Sequence, residues 1–366
     1  MRRTILAAVA AACTFLAVPP SSAAPASGSV PGAYAADPVA TNLDFPAAFT
    51  FAPDGRIFYG ERLDGDIRLL NPSNGSNTLF FHVPNLIGDG ERGVLGLALH
   101  PSYPAKPYLF AYVTRDIAGV PTNQIVRLTD QGGTGVAMQV IFQSNVVSDL
   151  RHNGGRILFG PDNKLYAVIG DAANAANAQD LSKDAGKILR MTTIGNVPKD
   201  NPIPGSYVYS FGHRNSYGFA FDDRSGLLWE TENGPACNDE INVSLPGENY
   251  GWGDDWTCAT PPTPPVNTNR DGSAPLLPEF WYTPTIAPTG AVFCELCGLA
   301  SGTGRMFFGA VNTGEIRRVV LTPDRTHGVR ADVVYQHPDG ILSMEGGPDG
   351  RLYFSSFDGI YVLTDA

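Results

Sequence analysis

A strand-turn-strand unit recurs six times along this chain, each copy carrying an alternating apolar strand, a Gly turn and a second strand that often ends in an Ile-Arg-like pair. The first copy is Pro53-Asp54-Gly55 before Arg56-Ile57-Phe58-Tyr59, with Gly65-Asp66-Ile67-Arg68 after it. Later copies centre on Tyr108 to Tyr112 with Ile125 to Leu128, on Leu165 to Val168 with Gly186 to Arg190, and on Asp222 to Trp229 with Glu240 to Val243. The last two centre on Gly304 to Phe308 with Gly314 to Arg317, and on Leu352 to Phe354 with Gly359 to Val362. Such units cannot bury their faces alone and stack radially, so the expected fold is all-β, a six-bladed β-propeller. The irregular spacing leaves a β-sandwich as the competing architecture. The segment from Asn42 to Phe51 is expected to add a strand to the last blade and close the ring.

Composition agrees with many short strands and turns: 41 glycines, 30 prolines and only 17% charged residues. Arg2 and Arg3 precede an apolar run from Ile5 to Val18, the pattern of a secretory leader. An A-x-A pattern at Ala33, Tyr34 and Ala35 places cleavage before Ala36, with a weaker junction after Ser22-Ala23-Ala24. The expected organisation is therefore a leader over 1–35 and one propeller domain over 36–366, secreted or extracytoplasmic, exported by either the twin-arginine or the Sec route. No later segment approaches the roughly 18 unbroken apolar residues of a membrane span, so no membrane insertion is expected. A net charge of −11 argues against nucleic acid and anionic membranes as partners and suits a cation or a neutral sugar.

Cys13 leaves with the leader, and Cys237, Cys258, Cys294 and Cys297 remain. In an oxidising compartment they read as two disulfides, with nearest-neighbour pairing preferred among the three connectivities. Closing the longer loop is worth about 3 kcal/mol in the chain-entropy model. A zinc site and a redox-active Cys294/Cys297 pair are the rival readings.

Four polar, Gly-rich segments follow apolar strands without serving an obvious turn: Glu91-Arg92-Gly93, Arg151-His152-Asn153-Gly154-Gly155, Gly212-His213-Arg214-Asn215, and Glu232-Asn233-Gly234-Pro235 running on to Asp239-Glu240. Each is expected to open a different blade and to converge on the central channel. His152, flanked by glycines that let a ring approach the backbone, is a candidate general base, although a lone histidine is more often structural. Arg214 could hold an oxygen-rich acceptor or form a salt bridge between blades. Asp239 and Glu240, with Asn242, Asp254 and Asp255, offer hard oxygen ligands suited to Ca²⁺, or a solvated acidic loop.

Together with Gly247-Glu248-Asn249-Tyr250-Gly251-Trp252, these segments resemble the glucose/sorbosone dehydrogenase family of pyrroloquinoline quinone (PQQ) enzymes, over roughly Pro38 to the C-terminus. The resemblance implies that a sugar C1 hydroxyl loses its proton to His152 while hydride passes to the quinone, with Arg214 also placed at the reacting centre. Arg214 and Asn215 match residues contacting quinone oxygens, and Glu91, Asn233 and Thr285 fall at further cofactor positions. Gly234 and Pro235 match carbonyls that hold the Ca²⁺ bridging protein and cofactor, and Glu240 and Tyr250 resemble a second, structural Ca²⁺ site. The implied partners are a sugar substrate and an external electron acceptor.

The chain departs from the family where cofactor carboxylates are bound. A Lys and a pair of Arg align with Asn312 and with Gly340-Ile341-Leu342, a stacking Trp aligns with Thr283, Glu91-Arg92 covers a glutamine, and Asn233 replaces Gln or His. Arg92, Arg151 and Arg305 are the basic residues expected to compensate. If they do not, the chain is a non-catalytic propeller that binds carbohydrate or protein. A metal-dependent sugar-lactone hydrolase ranks last, because the expected channel segments are richer in Gly, Arg and His than in carboxylates.

Overall fold

The computed structural model describes residues 34–254, 256, 258 and 275–366. Expectations for the leader, for Cys13, for Asp255 and for a stiff, extended loop at the proline-rich stretch 260–265 lie outside the described residues.

The recurring units are six four-stranded antiparallel sheets arranged as a six-bladed β-propeller. Blade 1 comprises β2 (Pro46–Phe51), β3 (Ile57–Glu61), β4 (Asp66–Asn71) and β5 (Ser76–His82); blade 2 comprises β6 (Val94–Leu99), β7 (Tyr108–Ile117), β8 (Val120–Asp130) and β9 (Gly135–Val147). Blade 3 holds β10 (Ile157–Phe159), β11 (Leu165–Ile169), β12 (Lys187–Met191) and β13 (Val208–Phe211), with a one-turn helix α1 (Ala176–Gln179) in its β11–β12 connection. Blade 4 holds β14 (Ser216–Phe221), β15 (Leu228–Glu232), β16 (Asp239–Ser244) and β17 (Phe280–Tyr282). Blade 5 runs through β18 (Pro288–Cys294), β19 (Arg305–Ala310), β20 (Glu315–Leu321) and β21 (Gly328–Gln336). Blade 6 combines β22 (Ser343–Gly346), β23 (Leu352–Ser355) and β24 (Gly359–Asp365) with β1 (Tyr34–Thr41), the first strand of the chain.

The core is six wedges between consecutive blades. Phe58 and Phe80 meet Val94 and Leu109 between blades 1 and 2, and Phe110 and Tyr112 meet Leu165 and Leu189 between blades 2 and 3. Tyr166 packs on Phe219, Trp229 on Phe308, Phe307 on Phe354, and Tyr353 on Phe49. Each sheet therefore buries both faces, which is why its strands read as near-continuous apolar runs. Arg156 at the head of β10 donates 2.7 Å to Ser343 Oγ in the opposite blade, so a side chain crosses the channel.

Ring closure differs from expectation. Asn42 to Phe51 forms a turn and then the innermost strand of blade 1, whereas β1, upstream of it, pairs with β24 from Tyr34↔Asp365 to Thr41↔Gly359. Both stretches are apolar, but only the upstream one lies far enough from β2 to reach the outer edge of blade 6. The strand also starts two residues before the expected domain boundary, and a cut before Ala36 would fall inside it.

Tyr34 is 4% exposed, lies 6.1 Å from the Phe307 ring and donates 2.5 Å to the Ala300 carbonyl. Tyr34→Ala is expected to destabilise the fold by about 3 kcal/mol, the scale for truncating a buried aromatic side chain. Urea unfolding would show this as a lower midpoint with an unchanged slope; a change below about 1 kcal/mol would mean that the start of β1 does not hold the ring.

The cysteines pair as Cys237–Cys258 and Cys294–Cys297, the nearest-neighbour connectivity. Among the described residues, no helix is long and apolar enough to cross a membrane.

Candidate active site

A cavity of about 480 Å³ opens where the loops before the inner strands converge. Glu91, His152, Arg214, Asn215, Asn233, Gly234, Pro235 and Thr285 all line it, although they come from three blades and from the β17–β18 loop. Asn312 and Leu342 also line it and present no charge. Glu240 and Tyr250 are not among its lining residues. The segments at Glu91, His152 and Arg214 open blades 2, 3 and 4, as expected. The fourth segment, from Glu232, does not open a blade: it is the β15–β16 turn of blade 4, the same blade that Arg214 and Asn215 lead into.

His152 sits at φ 59°, a left-handed backbone that L-residues adopt at some cost. Its N–H donates 2.7 Å to Glu91 Oε2, and its carbonyl accepts from Ala172 at 3.2 Å. A side chain at Gly170 would put Cβ 2.3 Å from that carbonyl, so the chain leaving β11 can pass this loop only as glycine. The His152 Nδ1 lies 2.6 Å from Asp171 Oδ1. An ionised carboxylate can only accept, so Nδ1 carries the proton and Nε2 is the ring nitrogen left as a base. Asp171 is 1% exposed; Oδ1 also accepts from the Ala173 N–H at 2.8 Å and Oδ2 from Trp252 Nε1 at 2.7 Å. Its position is thereby fixed from two blades' loops, with Ala172 and Ala173 both left-handed beside it.

Arg214 enters the cavity from the next blade, its carbonyl accepting from the Asp171 N–H at 2.7 Å. Its Nη1 donates to the carbonyls of Asn233 (2.8 Å) and Gly234 (2.9 Å), its guanidinium carbon stands 5.4 Å over the Trp252 ring, and its Nε is buried with no hydrogen bond. Burial pulls the guanidinium below its ordinary pKa, opposed by Asp171, Glu232, Glu91 and Asp239. Asn215 Nδ2 donates 3.2 Å to Glu91 Oε2, while its buried Oδ1 accepts nothing. Asn233 Nδ2 donates to the Asn215 and Pro288 carbonyls.

Asp239 organises the carbonyl turn. Oδ1 accepts from Gly234 N–H, and Oδ2 from the N–H groups of Ile286 and Ala287, all at 2.7 Å. Burial raises its carboxyl to about 6 against the pull of those three amides. Its oxygens are thus committed to shaping the loops, a different role from the ligand expected of it. Gly234 cannot carry a side chain, since its Cβ would lie 2.1 Å from the Cys237 carbonyl. Thr283, where the family has a stacking Trp, exchanges hydrogen bonds with Asn238.

Glu240 and Tyr250 belong to a second assembly directly behind Arg214. Fully buried His213 has Nδ1 2.9 Å from both Glu230 Oε1 and Glu232 Oε2, and its ring stacks 4.8 Å from Tyr250. Glu232 Oε1 accepts from the Arg214 N–H at 2.5 Å. Burial alone would lower His213, but Glu230 and Glu232 hold it up to about 10. Glu240 stands opposite Glu232 across the β15–β16 ladder, and burial together with Glu232 pushes its carboxyl well above the usual range. The buried Oδ1 of Asn242 accepts no hydrogen bond, and neither does Glu230 Oε1 despite its nearness to His213. Oxygens short of donors beside three carboxylates could hold a divalent cation. The Tyr250 phenol donates to the Val243 carbonyl at 2.6 Å, so a contact from Tyr250 to a cation would use its main-chain carbonyl.

Sequence reasoning missed Asp171, Trp252 as its donor, and Arg62, which also lines the cavity. The signal for Asp171 was a Gly170-Asp171 pair directly after an apolar strand, the same context that marked the other segments. Of the basic residues expected to compensate for lost cations, Arg151 lines the cavity. Arg92 does not and pairs instead with Asp89 at 2.6 Å; Arg305 starts β19 away from the cavity.

A six-bladed propeller with a histidine-carboxylate pair and an arginine at one channel cavity fits an oxidoreductase of the sugar dehydrogenase class, the class to which its relatives belong. A family model described as Glucose / Sorbosone dehydrogenase matches residues 43–360, and the chain belongs to that family. It is 34% identical over 245 residues to quinoprotein glucose dehydrogenase B of Acinetobacter calcoaceticus, covering 58% of this chain and about half (51%) of that relative. It is 27% identical over 344 residues to the aldose sugar dehydrogenase YliI of Escherichia coli K12, covering 88% of each. The PQQ-bound aldose sugar dehydrogenase from Streptomyces coelicolor superposes with a TM-score of 0.77 at 28% identity, covering 91% of this chain and 99% of that one.

Proposed function

We propose that this protein oxidises an aldose or related sugar at C1, using PQQ with Ca²⁺ and passing the electrons to an external acceptor. The observation that carries the reading is the pairing of His152 with Asp171 in one cavity with Arg214, a guanidinium with no ion pair among the described residues. The cavity's residues suit the cofactor: the free Nε of Arg214 is a donor for a quinone oxygen, and the free Oδ1 of Asn215 is an acceptor beside it. When bound, the quinone supplies a carbon that accepts hydride.

The rest falls to the chain itself. His152 Nε2 takes the proton of the C1 hydroxyl, and Asp171 stabilises the imidazolium that results. Arg214 offsets negative charge growing on the acceptor oxygen as hydride leaves C1, and it does so from a water-poor site where charge is weakly screened. The two electrons and the hydrogen leave C1 together, so the sugar becomes its lactone. Gly234 and Pro235 offer main-chain oxygens to the cofactor's Ca²⁺. The Gly234 oxygen accepts from Arg214 Nη1 at 2.9 Å, so a cation held by that oxygen would compete with the guanidinium for it. Glu240, with the Tyr250 carbonyl, would hold a separate structural Ca²⁺. The two disulfides fit an oxidising, extracytoplasmic location.

A non-catalytic propeller is the competing reading, favoured by the neutral Asn312 and Leu342 on the cavity wall. A lactone hydrolase is disfavoured because Asp239, one of two carboxylates lining the cavity among the described residues, is fully engaged by amides. Titrating metal-free protein with PQQ and Ca²⁺, following cofactor absorbance and then dye reduction with a panel of aldoses, separates the two. Saturable binding with sugar-dependent reduction is the expected result. Absence of binding at quinone concentrations on the order of micromolar would overturn the dehydrogenase reading.

A further inference from the structure

We infer that Arg62, on the blade 1 side of the cavity, is the cation that holds a cofactor carboxylate in this chain, replacing the Lys and Arg positions now occupied by Asn312 and Leu342. The inference rests on the quinone-dependent reading above.

Buried or half-buried arginines in this protein generally meet a carboxylate: Arg92 pairs with Asp89, Arg156 with Glu345, Arg190 with Asp162 and Asp200, and Arg325 with Asp222. Arg115 has none but is satisfied by the Pro84 carbonyl and the Gln124 side chain. Arg62 and Arg214 differ. Among the described residues, these two combine a buried Nε that makes no hydrogen bond with the lack of any ion pair, and both line the cavity. Removing a guanidinium from water without an anion is unfavourable, and the burial of Arg62 accordingly pulls its pKa down. An anionic ligand in the cavity resolves the imbalance at both arginines.

The Arg62 guanidinium is also held in place. Nη1 donates 2.8 Å to the Gly90 carbonyl and 3.4 Å to that of Arg92, and Cζ stands 4.2 Å over the Phe45 ring. Phe45 packs edge-on against Phe357 at 5.1 Å, and its backbone is left-handed at φ 43°. The side chain is thereby gripped at one nitrogen and one face, while Nε and Nη2 make no hydrogen bond among the described residues. That edge is the one whose two N–H groups match the oxygens of a carboxylate. The part of the wall formed by Thr285, Val311, Asn312 and Leu342 offers no charge. A ligand with several carboxylates would therefore place one of them against blade 1.

The test compares Ca²⁺-loaded wild-type, Arg62→Gln and Arg62→Lys proteins for binding of PQQ and of its trimethyl ester, read by quenching of tryptophan fluorescence, with thermal melts as a check on folding. Arg62→Gln is expected to weaken PQQ binding by about 10- to 100-fold, the range for one charge-assisted contact, and to leave ester binding within about twofold of wild type. Arg62→Lys should retain affinity for the acid to within about tenfold. PQQ binding by Arg62→Gln equal to that of wild type would overturn the inference, and so would an equal loss of acid and ester, which would make Arg62 a clasp between blades. Failure of wild type to bind PQQ would instead overturn the quinone-dependent reading, and the inference with it.

Discussion

His152→Asn is expected to lower kcat for aldose oxidation by about 10³-fold, within the range contributed by a positioned general base, and to leave the melting temperature unchanged. Asparagine is the informative replacement because position 152 is left-handed, a conformation that Asn tolerates better than Ala does. The backbone contacts to Glu91 and Ala172 then persist while the base is gone. Asp171→Asn should be nearly as damaging. Its amide N–H₂ can donate to Nδ1, which forces the ring proton onto Nε2 and leaves no lone pair facing the substrate; this tautomer effect reaches about 10⁴ in serine proteases. Steady-state kinetics on the reconstituted protein, with cofactor affinity measured separately, decides the matter. Turnover of His152→Asn within about tenfold of wild type would remove His152 from the proton transfer.

The second large effect concerns stability and lies in the assembly behind Arg214. His213 gains its carboxylate partners on folding, and its pKa rises from the ordinary value near 6.5 to about 10. A base whose folded pKa exceeds its unfolded one stabilises the fold fully below the unfolded value and loses that contribution as pH climbs through the folded one. Thermal melts in the presence of chelator are therefore expected to fall steadily between about pH 6.5 and pH 10. His213→Gln should flatten that slope. It should also destabilise the protein at pH 7 by about 3 kcal/mol or more, because Glu230 and Glu232 are left buried without a cation. A slope that persists in His213→Gln would place the titrating group elsewhere. Because Glu232 also accepts the Arg214 N–H, loss of His213 should loosen the cavity wall before the ring as a whole unfolds.

The second and third strands of every blade were legible in the sequence because both of their faces meet neighbouring blades and they read as apolar runs. The inner strands were not. β10 is three residues long, and β14 is broken by a bulge between Ser216 and Gly218, so neither shows a sustained period. β1 escaped because Tyr34-Ala35-Ala36-Asp37 looks like the end of a leader, and only its ladder with β24 shows otherwise. In the site, His152 and Arg214 stood out through their glycine-flanked loops. Asp171 resembled an ordinary acid in a turn, and its role appears only when the ring brings Trp252 over from blade 4. Arg62 was hidden inside the first copy of the repeat, where an arginine after a strand is unremarkable. What sets it apart with Arg214 is a buried Nε without a hydrogen bond and no ion pair among the described residues, which no local pattern encodes.

The pairing of β1 with β24 also has a kinetic side. The first described strand finds its hydrogen bonds only in the last one, so the sheet that completes the ring cannot form until the whole chain is available. Contacts of such sequence separation form late and slowly. Until then, the partly folded chain exposes the unpaired edge of β24 or of β1, together with the unfilled wedge between blades 6 and 1, to any neighbour able to add a strand. A chain truncated before Gly359 would remain permanently in that open state, and loss of a single C-terminal strand should favour aggregation through its own blades.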